Sequence, residues 1–307
     1  MIYGYRSGGA VMKMSLCVDP GRSWPQVLAL AQRADSAGWH AVYLCDHFMP
    51  HDPAGRPADG PMLECWTVLA ALAAQTESVA VGSLVLGNTY RHPAVVANMA
   101  ATLDRISQGR LVLGIGAGWQ PNEHAAYGIS LPARQDRIAA LDEACVVIRS
   151  LLDRPRSTMA GAVYRLSDAP CEPKPASRVG LLVGGAGRGI MRVAARHADV
   201  WHAWASPGEF ARKNAVLDGL CRDIERQPSD IDRACGGVVT VRPGPGSGRM
   251  ADETDVQGTP QEVLARLRAF SVAGADEFIV RDDAAGAGVS EALDQIDILT
   301  EAVLPGL

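Results

Sequence analysis

Residues 111–152 read LVLGIGAGWQPNEHAAYGISLPARQDRIAALDEACVVIRSLL, and their pattern of apolar residues predicts the fold. The stretch begins with an unbroken apolar run, Leu111–Gly116, which is typical of a parallel strand covered by helices. It ends in Arg134–Leu152, where apolar side chains recur at helical intervals of 3, 4, 3 and 4 residues: Ile138, Leu141, Cys145, Ile148 and Leu152. The stretch therefore predicts a strand and then an amphipathic helix.

The same alternation extends in both directions along the chain. Further apolar runs predict strands at Met14–Val18, Ala41–Leu44, Val79–Leu86, Leu181–Val183, Val200–Trp204, Gly237–Val241 and Glu277–Val280. Further amphipathic segments predict helices at Trp24–Ala37, Glu64–Gln75, Ala94–Ser107, Ile190–His197, Gly208–Arg226, Gln261–Ala273 and Ser290–Val303. Repeated strand–helix units favour a single (β/α)8 TIM barrel. A doubly wound open sheet is the alternative, because periodicity does not say whether the sheet closes.

The composition excludes several classes of protein. Of 307 residues, 48% are hydrophobic and 21% charged, which is ample for one large core. The net charge of −5, with both signs intermingled, predicts no nucleic-acid partner, and the longest apolar stretch, near Val79–Gly87, is too short to cross a bilayer. Seven cysteines without a C-x-x-C pair argue against a disulfide framework and a zinc site, and favour a cytoplasmic protein.

We expect one domain, residues 14–307, after a loose N-terminal extension, residues 1–13. Two polar insertions rich in proline or glycine, His51–Pro61 and Ser157–Arg178, interrupt the alternation. Long loops of this kind are more often functional than decorative. The segment Arg242–Met250 predicts a flexible loop after the seventh strand.

Asp46 and His47 come directly after the second predicted strand, where a barrel carries its active site. A carboxylate beside an imidazole can tune a proton-transfer group that titrates near neutral pH. The alternative is a helix-capping aspartate followed by a surface histidine. Trp201 and Trp204 near the sixth strand are better explained by core packing than by a pocket, and His202 shows no metal-ligand spacing.

Glycine clusters follow the fourth and fifth predicted strands. Gly114–Gly118 carries glycine at alternate positions, and Gly184–Gly187 leads directly into a helix. Exposed backbone amides at such turns suit an anion. The spacing is not that of a dinucleotide fingerprint. Together the clusters predict one phosphorylated ligand, and with only three lysines its phosphate would be held by arginines and amides.

Several of these segments together resemble a known family. They are Asp46–Phe48 (DHF), Thr89–Ala94 (TYRHPA), Ser107–Trp119 (SQGRLVLGIGAGW), Val183–Gly187 (VGGAG) and Ala195–Trp201 (ARHADVW). The sequence resembles the luciferase-like monooxygenase superfamily and, within it, the coenzyme F420-dependent oxidoreductases of actinobacterial type. The resemblance runs from about Met14 to the last helix.

The resemblance implies a barrel whose flavin-like ring lies at the C-terminal ends of the strands. Asp46 and His47 match a pair in which the histidine is the base or proton relay while hydride passes to or from C5 of the ring. A cis peptide in the third strand would fall near Leu84–Val85. The implied cofactor-binding residues are Leu84, Val85, Ala117, Gly118, Asn122, Gly184, Gly185 and Gly187.

The chain departs from the family's sugar-phosphate dehydrogenases at one position. Trp119 stands where they carry a catalytic glutamate, and Glu123 follows four residues later. The departure argues against a sugar-phosphate substrate. We expect Trp119, Arg91 and Glu123 to line a substrate pocket, with Arg281 a further candidate. Relatives commonly dimerise through barrel helices, so we expect a homodimer that acts on a small molecule.

Three functions remain open on the sequence. The first is F420-dependent hydride transfer, and the second is an FMN-dependent monooxygenase that uses oxygen and a partner reductase. The third belongs to another class, a flavin-binding protein without catalysis. A cofactor titration separates the first two, because reduced FMN forms an oxygen adduct whereas the reduced deazaflavin is nearly inert to oxygen.

Overall fold

The computed structural model describes residues 12–242, 254–282 and 288–307. Of the expected N-terminal extension, Met12 and Lys13 are described, and Lys13 already begins the first strand. The rest of that extension lies outside the described residues, as does the predicted loop Arg242–Met250 beyond Arg242 itself.

Strands and helices alternate along the described chain. The strands are β1 (Lys13–Val18), β2 (Ala41–Leu44), β3 (Ala80–Ser83), β4 (Leu86–Gly87), β5 (Leu111–Gly116), β6 (Ser157–Ala160), β7 (Arg165–Ala169), β8 (Gly180–Gly184), β9 (Val200–His202), β10 (Asp232–Gly237), β11 (Val239–Val241), β12 (Val256–Gly258) and β13 (Glu277–Arg281). The helices are α1 (Trp24–Ser36), α2 (Cys65–Gln75), α3 (Pro93–Ile106), α4 (Pro121–Tyr127), α5 (Arg134–Asp153), α6 (Arg188–His197), α7 (Pro207–Arg222), α8 (Pro260–Val272) and α9 (Val289–Ile298). None of these helices is long and apolar enough to cross a bilayer.

The parallel strands close into a barrel. Going around it, the order is β1, β2, β3, β5, β8, β9, β10 and β13, and β13 pairs back with β1. Closure is visible in the registers: Val81 pairs with Leu111, and Lys13 pairs with Glu277. The predicted (β/α)8 barrel is confirmed, and the open sheet is wrong.

The third barrel position holds two short strands instead of the single strand expected at Val79–Leu86. The chain leaves β3 after Ser83, passes through a cis peptide bond between Leu84 and Val85, and pairs again as β4. The cis peptide that the family resemblance implied is therefore confirmed.

The prediction of Gly237–Val241 as the seventh barrel strand is wrong. That position is filled by β10, and the nearby β11 instead pairs with β12 away from the barrel sheet. The cause is the charge in β10, which hides its apolar pattern. Asp232 and Arg233 are both buried, because Lys13 pairs with Asp232 at 3.3 Å and Asp218 pairs with Arg233 at 2.8 Å.

Two elements inside predicted loops were missed. The insertion Ser157–Arg178 contains the antiparallel pair β6 and β7, and the short helix α4 lies between β5 and α5. At the C-terminus the predicted helix Ser290–Val303 is α9 followed by a π-helical turn, Leu299–Val303.

The core has two layers, because side chains alternate along each barrel strand. Inward-facing residues such as Cys17 and Tyr43 fill the barrel interior. Outward-facing residues pack under the helices; Trp201, for example, stacks on Phe210 with ring centroids 5.5 Å apart, so the core-packing interpretation of Trp201 is confirmed. The inner layer ends below the C-terminal ends of the strands, and a cavity begins there.

Candidate active site

A cavity of about 580 Å³ opens at the C-terminal ends of the barrel strands. That volume is in the range of small-molecule and cofactor sites. Its walls come from most of the strand ends: Cys45, Asp46, His47, Leu84, Val85, Leu86, Gly87, Tyr90, Gly116, Ala117, Gly118, Trp119, Arg134, Arg137, Ile138, Gly184, Gly185, Ala186, Ile190, His202, Ala203, Trp204 and Arg281.

Val85, directly after the cis bond, forms a ledge inside this cavity. Neighbouring strands approach it so closely that only glycine fits there. A Cβ at Gly116 would lie 2.7 Å from Val85 Cγ2, and one at Gly184 would lie 2.8 Å from Val85 Cγ1. The alternate glycines after β5 and the glycines after β8 therefore make room for one side chain between them.

His47 lines the cavity and is held from behind by a buried carboxylate. Its Nδ1 lies 2.8 Å from Oε1 of Glu123, whose other oxygen accepts the Phe48 backbone N–H at 2.8 Å. Tyr90 donates its hydroxyl to the same carboxylate. Glu123 itself is fully buried. The imidazole therefore presents Nε2, and not Nδ1, as its uncommitted nitrogen.

The pKa values in this group follow from burial and charge. Burial disfavours the charged imidazole of His47, but the hydrogen bond and the charge of Glu123 outweigh it and raise the pKa of His47. For Glu123 burial alone would raise the pKa, yet the hydrogen bonds from His47, Phe48 and Tyr90 lower it. Burial and the facing carboxylate both raise the pKa of Tyr90, which keeps its proton and remains a donor.

Asp46 does not contact His47, although the two residues are neighbours in sequence. Its carboxylate binds Arg91 through two contacts, at 2.7 and 3.1 Å, and accepts the Gly87 backbone N–H at 3.0 Å. Arg91 also binds Glu64, the residue that caps α2. Burial raises the pKa of Asp46 despite the guanidinium. The carboxylate that pairs with His47 thus comes from Glu123 and not from Asp46.

Two of the three residues expected to line a substrate pocket lie behind its wall. Arg91 is engaged by Asp46 and Glu64, and Glu123 is buried behind His47. Trp119 does line the cavity: 52% of its surface is exposed, and its ring stands edge-on to His47 with centroids 5.5 Å apart.

Asn122 also lies away from the cavity. It is fully buried in the first turn of α4, and its Nδ2 donates to the Pro50 carbonyl at 2.9 Å. Asn122 therefore does not line the cavity, because α4, absent from the predicted elements, turns this side chain toward the loop after β2. Its assignment to the cofactor stays a prediction. The same helix carries Glu123 to His47.

The other residues expected to bind cofactor lie in the cavity wall, with one exception. Leu84, Val85, Ala117, Gly118, Gly184 and Gly185 all line it. Gly187 does not. It is the residue before α6, and a side chain there would collide with the guanidinium of Arg134.

Arg134 and Arg137, which we did not single out from the sequence, enter the cavity beside these glycines. Both belong to the first turn of α5, and neither forms an ion pair in the described part of the chain. Two guanidinium groups beside a glycine-rich turn can form a site for an anion. Their signal in the sequence was the R-x-x-R spacing at a helix start facing the second glycine cluster.

The remaining wall carries His202, Trp204 and Arg281. His202 is 3% exposed, and its Nε2 finds no hydrogen-bond partner among the described residues. Burial lowers the pKa of His202 to about 3, so the ring is neutral. Its ring stands edge-on to Trp204, 4.6 Å between centroids, and Arg281 lies 5.9 Å from the centre of the Trp204 ring. Trp204 is therefore a pocket residue, contrary to the core-packing interpretation.

No cluster of three or more histidine, cysteine or carboxylate side chains with the geometry of a metal site occurs within residues 12–242, 254–282 and 288–307. The seven cysteines are all free thiols. The arrangement is a deep cavity with a histidine poised for proton transfer, an apolar ledge and two arginine-bearing walls. Together with the closed barrel, it defines a (β/α)8 protein with a cavity of small-molecule size at its strand ends.

Comparison with known proteins identifies the family of this chain. Residues 6–247 match the family described as luciferase-like monooxygenase, and the chain belongs to that family. It is 35% identical over 208 residues to the F420-dependent glucose-6-phosphate dehydrogenase of Intrasporangium calvum, a match covering 66% of this chain and 61% of the relative. A protein of the same description from Kineococcus radiotolerans is 34% identical over 230 residues, covering 73% of this chain and 67% of the relative.

The chain thus spans between three fifths and two thirds of the length of these relatives. Among solved structures, an F420-dependent secondary alcohol dehydrogenase in complex with an F420–acetone adduct superposes with a TM-score of 0.82. The superposition covers 97% of this chain and 99% of the other at 20% identity, and it shows a shared fold.

Proposed function

We propose that the protein is a coenzyme F420-dependent oxidoreductase that transfers a hydride between C5 of the deazaflavin and a small organic substrate, with His47 carrying the accompanying proton. The observation that carries the proposal is the His47–Glu123 pair, 2.8 Å apart, on the wall of the cavity that the Val85 ledge and the two glycine turns also form. The relatives named F420-dependent glucose-6-phosphate dehydrogenase support the choice of cofactor.

The residues present fit such a cofactor. Leu84 and Val85 offer an apolar surface for a planar ring, and the glycines at 116 and 184 keep that surface accessible. Arg134 and Arg137, beside the turns at Ala117–Gly118 and Gly184–Gly185, suit an anionic tail. When bound, the deazaflavin supplies a two-electron carrier that exchanges hydride at C5.

The proton is assigned to Nε2 of His47. Because Nδ1 faces the Glu123 carboxylate, Nδ1 keeps its hydrogen and Nε2 is free to accept a proton from a substrate hydroxyl or to return one. The hydrogen bond and charge of Glu123 raise the pKa of His47, which makes the ring a stronger proton acceptor than a free imidazole. Glu123 stabilises the imidazolium that forms.

We assign Asp46 the role of positioning His47. Its contacts with Arg91 and with the Gly87 backbone N–H join the end of β2 to the turn that follows β4. These contacts fix the backbone on which the next residue, His47, is carried. Asp46 therefore acts on the reaction through the position of His47.

A cofactor titration of the purified protein tests the proposal. We expect coenzyme F420 to bind in the low-micromolar range, measured by fluorescence, and FMN to compete weakly. Tight FMN binding without F420 binding, together with oxygen consumption when reduced FMN is supplied, would identify the monooxygenase instead. Tight binding of either cofactor with no turnover that depends on His47 would identify a non-catalytic binding protein.

Two further properties belong to the same proposal. We expect a homodimer, and an exposed apolar groove between α2 and α3, bordered by Trp66, Met99 and Ile106, is a candidate surface for it. Light scattering after gel filtration measures the mass in solution. The proposed compartment is the cytoplasm, which fractionation of cells expressing the protein would test.

A further inference from the structure

Arg281 lies across the barrel from the arginines assigned to the cofactor tail. Arg134 and Arg137 belong to the connection after β5, whereas Arg281 ends β13. Counted in either direction around the barrel, β5 and β13 are four strands apart, so the two groups of cations face each other across the cavity. One anion does not satisfy both groups unless it spans the opening.

None of the described carboxylates forms an ion pair with Arg281, so its charge is available to a ligand. The adjacent carboxylate, Asp282, is already bound by Arg22 through two contacts of 2.6 Å. Asp46, the one carboxylate that the described residues place in the cavity wall, is bound by Arg91. Among the described residues Arg281 has no ion pair, and its guanidinium lies beside the Trp204 ring on the open side of the cavity.

His202 adds a polar contact to this wall without adding charge. Its Nε2 is buried and lacks a hydrogen-bond partner among the described residues, and the ring touches Trp204. A buried nitrogen of this kind is normally satisfied by a protein group, water or a ligand. Because His202 stays neutral, Arg281 is the one cation that the described residues place on this side.

On the side of the strand-end cavity, Arg281 lies beside the Trp204 ring, and on its other side it borders a second cavity lined by polar residues such as Asp255 and Gln295. Trp119 and Trp204 are 52% and 39% exposed, unusually high for tryptophan, and both line the cavity. No lysine lines it. A sugar would need several hydrogen-bonding partners for its hydroxyl groups on this wall, whereas a guanidinium fork can bind one planar carboxylate through two parallel hydrogen bonds.

We propose that the substrate is a small carboxylic acid with an apolar, flat body, whose carboxylate binds Arg281 and whose body lies against Trp204 and Trp119. This inference rests on the proposed function and specifies its substrate class. His202 Nε2 then meets a polar atom of the substrate near the reacting carbon.

Binding of matched pairs of probes tests the proposal. Benzoate and cinnamate are compared with benzamide and cinnamamide, by calorimetry, on the full-length protein saturated with F420. We expect the carboxylates to bind more tightly than the amides. Arg281→Met should weaken carboxylate binding about tenfold to a hundredfold, the strength of a charge-assisted hydrogen bond, and leave amide binding unchanged. Arg212→Met, on the exposed face of α7, is the matched control and should change neither.

Other outcomes overturn the proposal. Equal weakening of carboxylate and amide by Arg281→Met would show that the arginine acts only through packing. Loss of F420 binding in that variant would assign Arg281 to the cofactor. Glucose 6-phosphate binding more tightly than the carboxylates would exclude the substrate class. If F420 fails to bind while carboxylates still depend on Arg281, the proposed function fails and the carboxylate subsite stands.

Discussion

His47 and His202 follow or end barrel strands, line one cavity and are both affected by burial, yet their pKa values shift in opposite directions. Behind His47 stands Glu123, 2.8 Å from Nδ1, and the pKa of His47 is raised. At His202, burial without any opposing charge from the described residues lowers the pKa to about 3. The pKa of His47 thus moves up from its ordinary value, while that of His202 moves far down.

The opposite shifts indicate that the carboxylate hydrogen-bonded to the ring, more than burial, sets the pKa of a histidine in this cavity. Desolvation acts on both rings in the same direction, toward the neutral form. The charged groups around the two rings differ: Glu123, with smaller contributions from Cys45 and Asp46, raises the pKa of His47, whereas burial is the one cause given for His202. Four substitutions test this difference between His47 and His202.

The largest effect is expected from His47→Ala. Loss of a general acid or base typically costs about 10²–10⁴-fold in rate. We expect that fall in kcat/KM, with F420 affinity unchanged because His47 is assigned to the proton and not to cofactor binding. His92→Asn, which keeps a side-chain acceptor at the exposed start of α3, should leave both unchanged. A His47→Ala enzyme that retains its rate would remove His47 from the mechanism.

Glu123→Gln should make His47 resemble His202. Burial then acts without the opposing carboxylate, so the pKa of His47 falls. If neutral His47 is the base, the acid limb of the pH profile of kcat/KM moves to lower pH. The rate itself should drop about tenfold, since the imidazolium loses its partner. Glu209→Gln on exposed α7 is the control. An unshifted pH profile would mean that Glu123 is merely structural.

Gly184→Ala tests the ledge that both histidines face. Gly184 pairs with His202 in register, and the added methyl group would lie 2.8 Å from Val85 Cγ1. Overpacking of this kind destabilises a protein by about 1–3 kcal/mol, and F420 affinity should fall with it. Gly219→Ala meets no atom within 4 Å in α7 and should instead raise the free energy of unfolding, by roughly 0.5–1 kcal/mol. Chemical denaturation of both variants measures this contrast.

The smallest effect at neutral pH is expected from His202→Leu. The folded state holds His202 neutral down to about pH 3, whereas the unfolded chain takes up a proton below its ordinary pKa of 6.5. Stability from this group is therefore present above pH 6.5 and is lost as the pH falls, with a slope of about 1.4 kcal/mol per pH unit. His202→Leu should lack that slope and be no less stable at pH 7. Denaturation from pH 7 to 4 measures it, and parallel slopes would contradict the prediction.

Features that are encoded in one short stretch of sequence could be predicted. The barrel followed from repeated apolar strands and helices, and the place of His47 followed from its position just after β2. The close approach around Val85 was signalled by glycines at fixed spacing and by the family resemblance. In each case a short segment carried the information.

Partners brought together by tertiary structure were not predictable. Consecutive residues at a strand end point in opposite directions, so Asp46 faces Arg91 while His47 faces the cavity. Glu123 reaches His47 only through α4, a two-turn helix whose pattern is too short to recognise. The sequence does not show whether His202 and Trp204 face the core or the cavity, because this depends on where β9 ends. The strand ends at His202, earlier than the apolar run predicts.

The pairing of β1 with β13 sets an order of events during synthesis on the ribosome. Lys13 pairs with Glu277 and Cys17 pairs with Arg281, so the barrel closes only after nearly the whole chain has emerged. Strands β5 and β8, which carry the glycine turns, are already available by residue 184. A nascent chain therefore contains the strands that carry the glycine turns well before it contains the wall bearing Arg281.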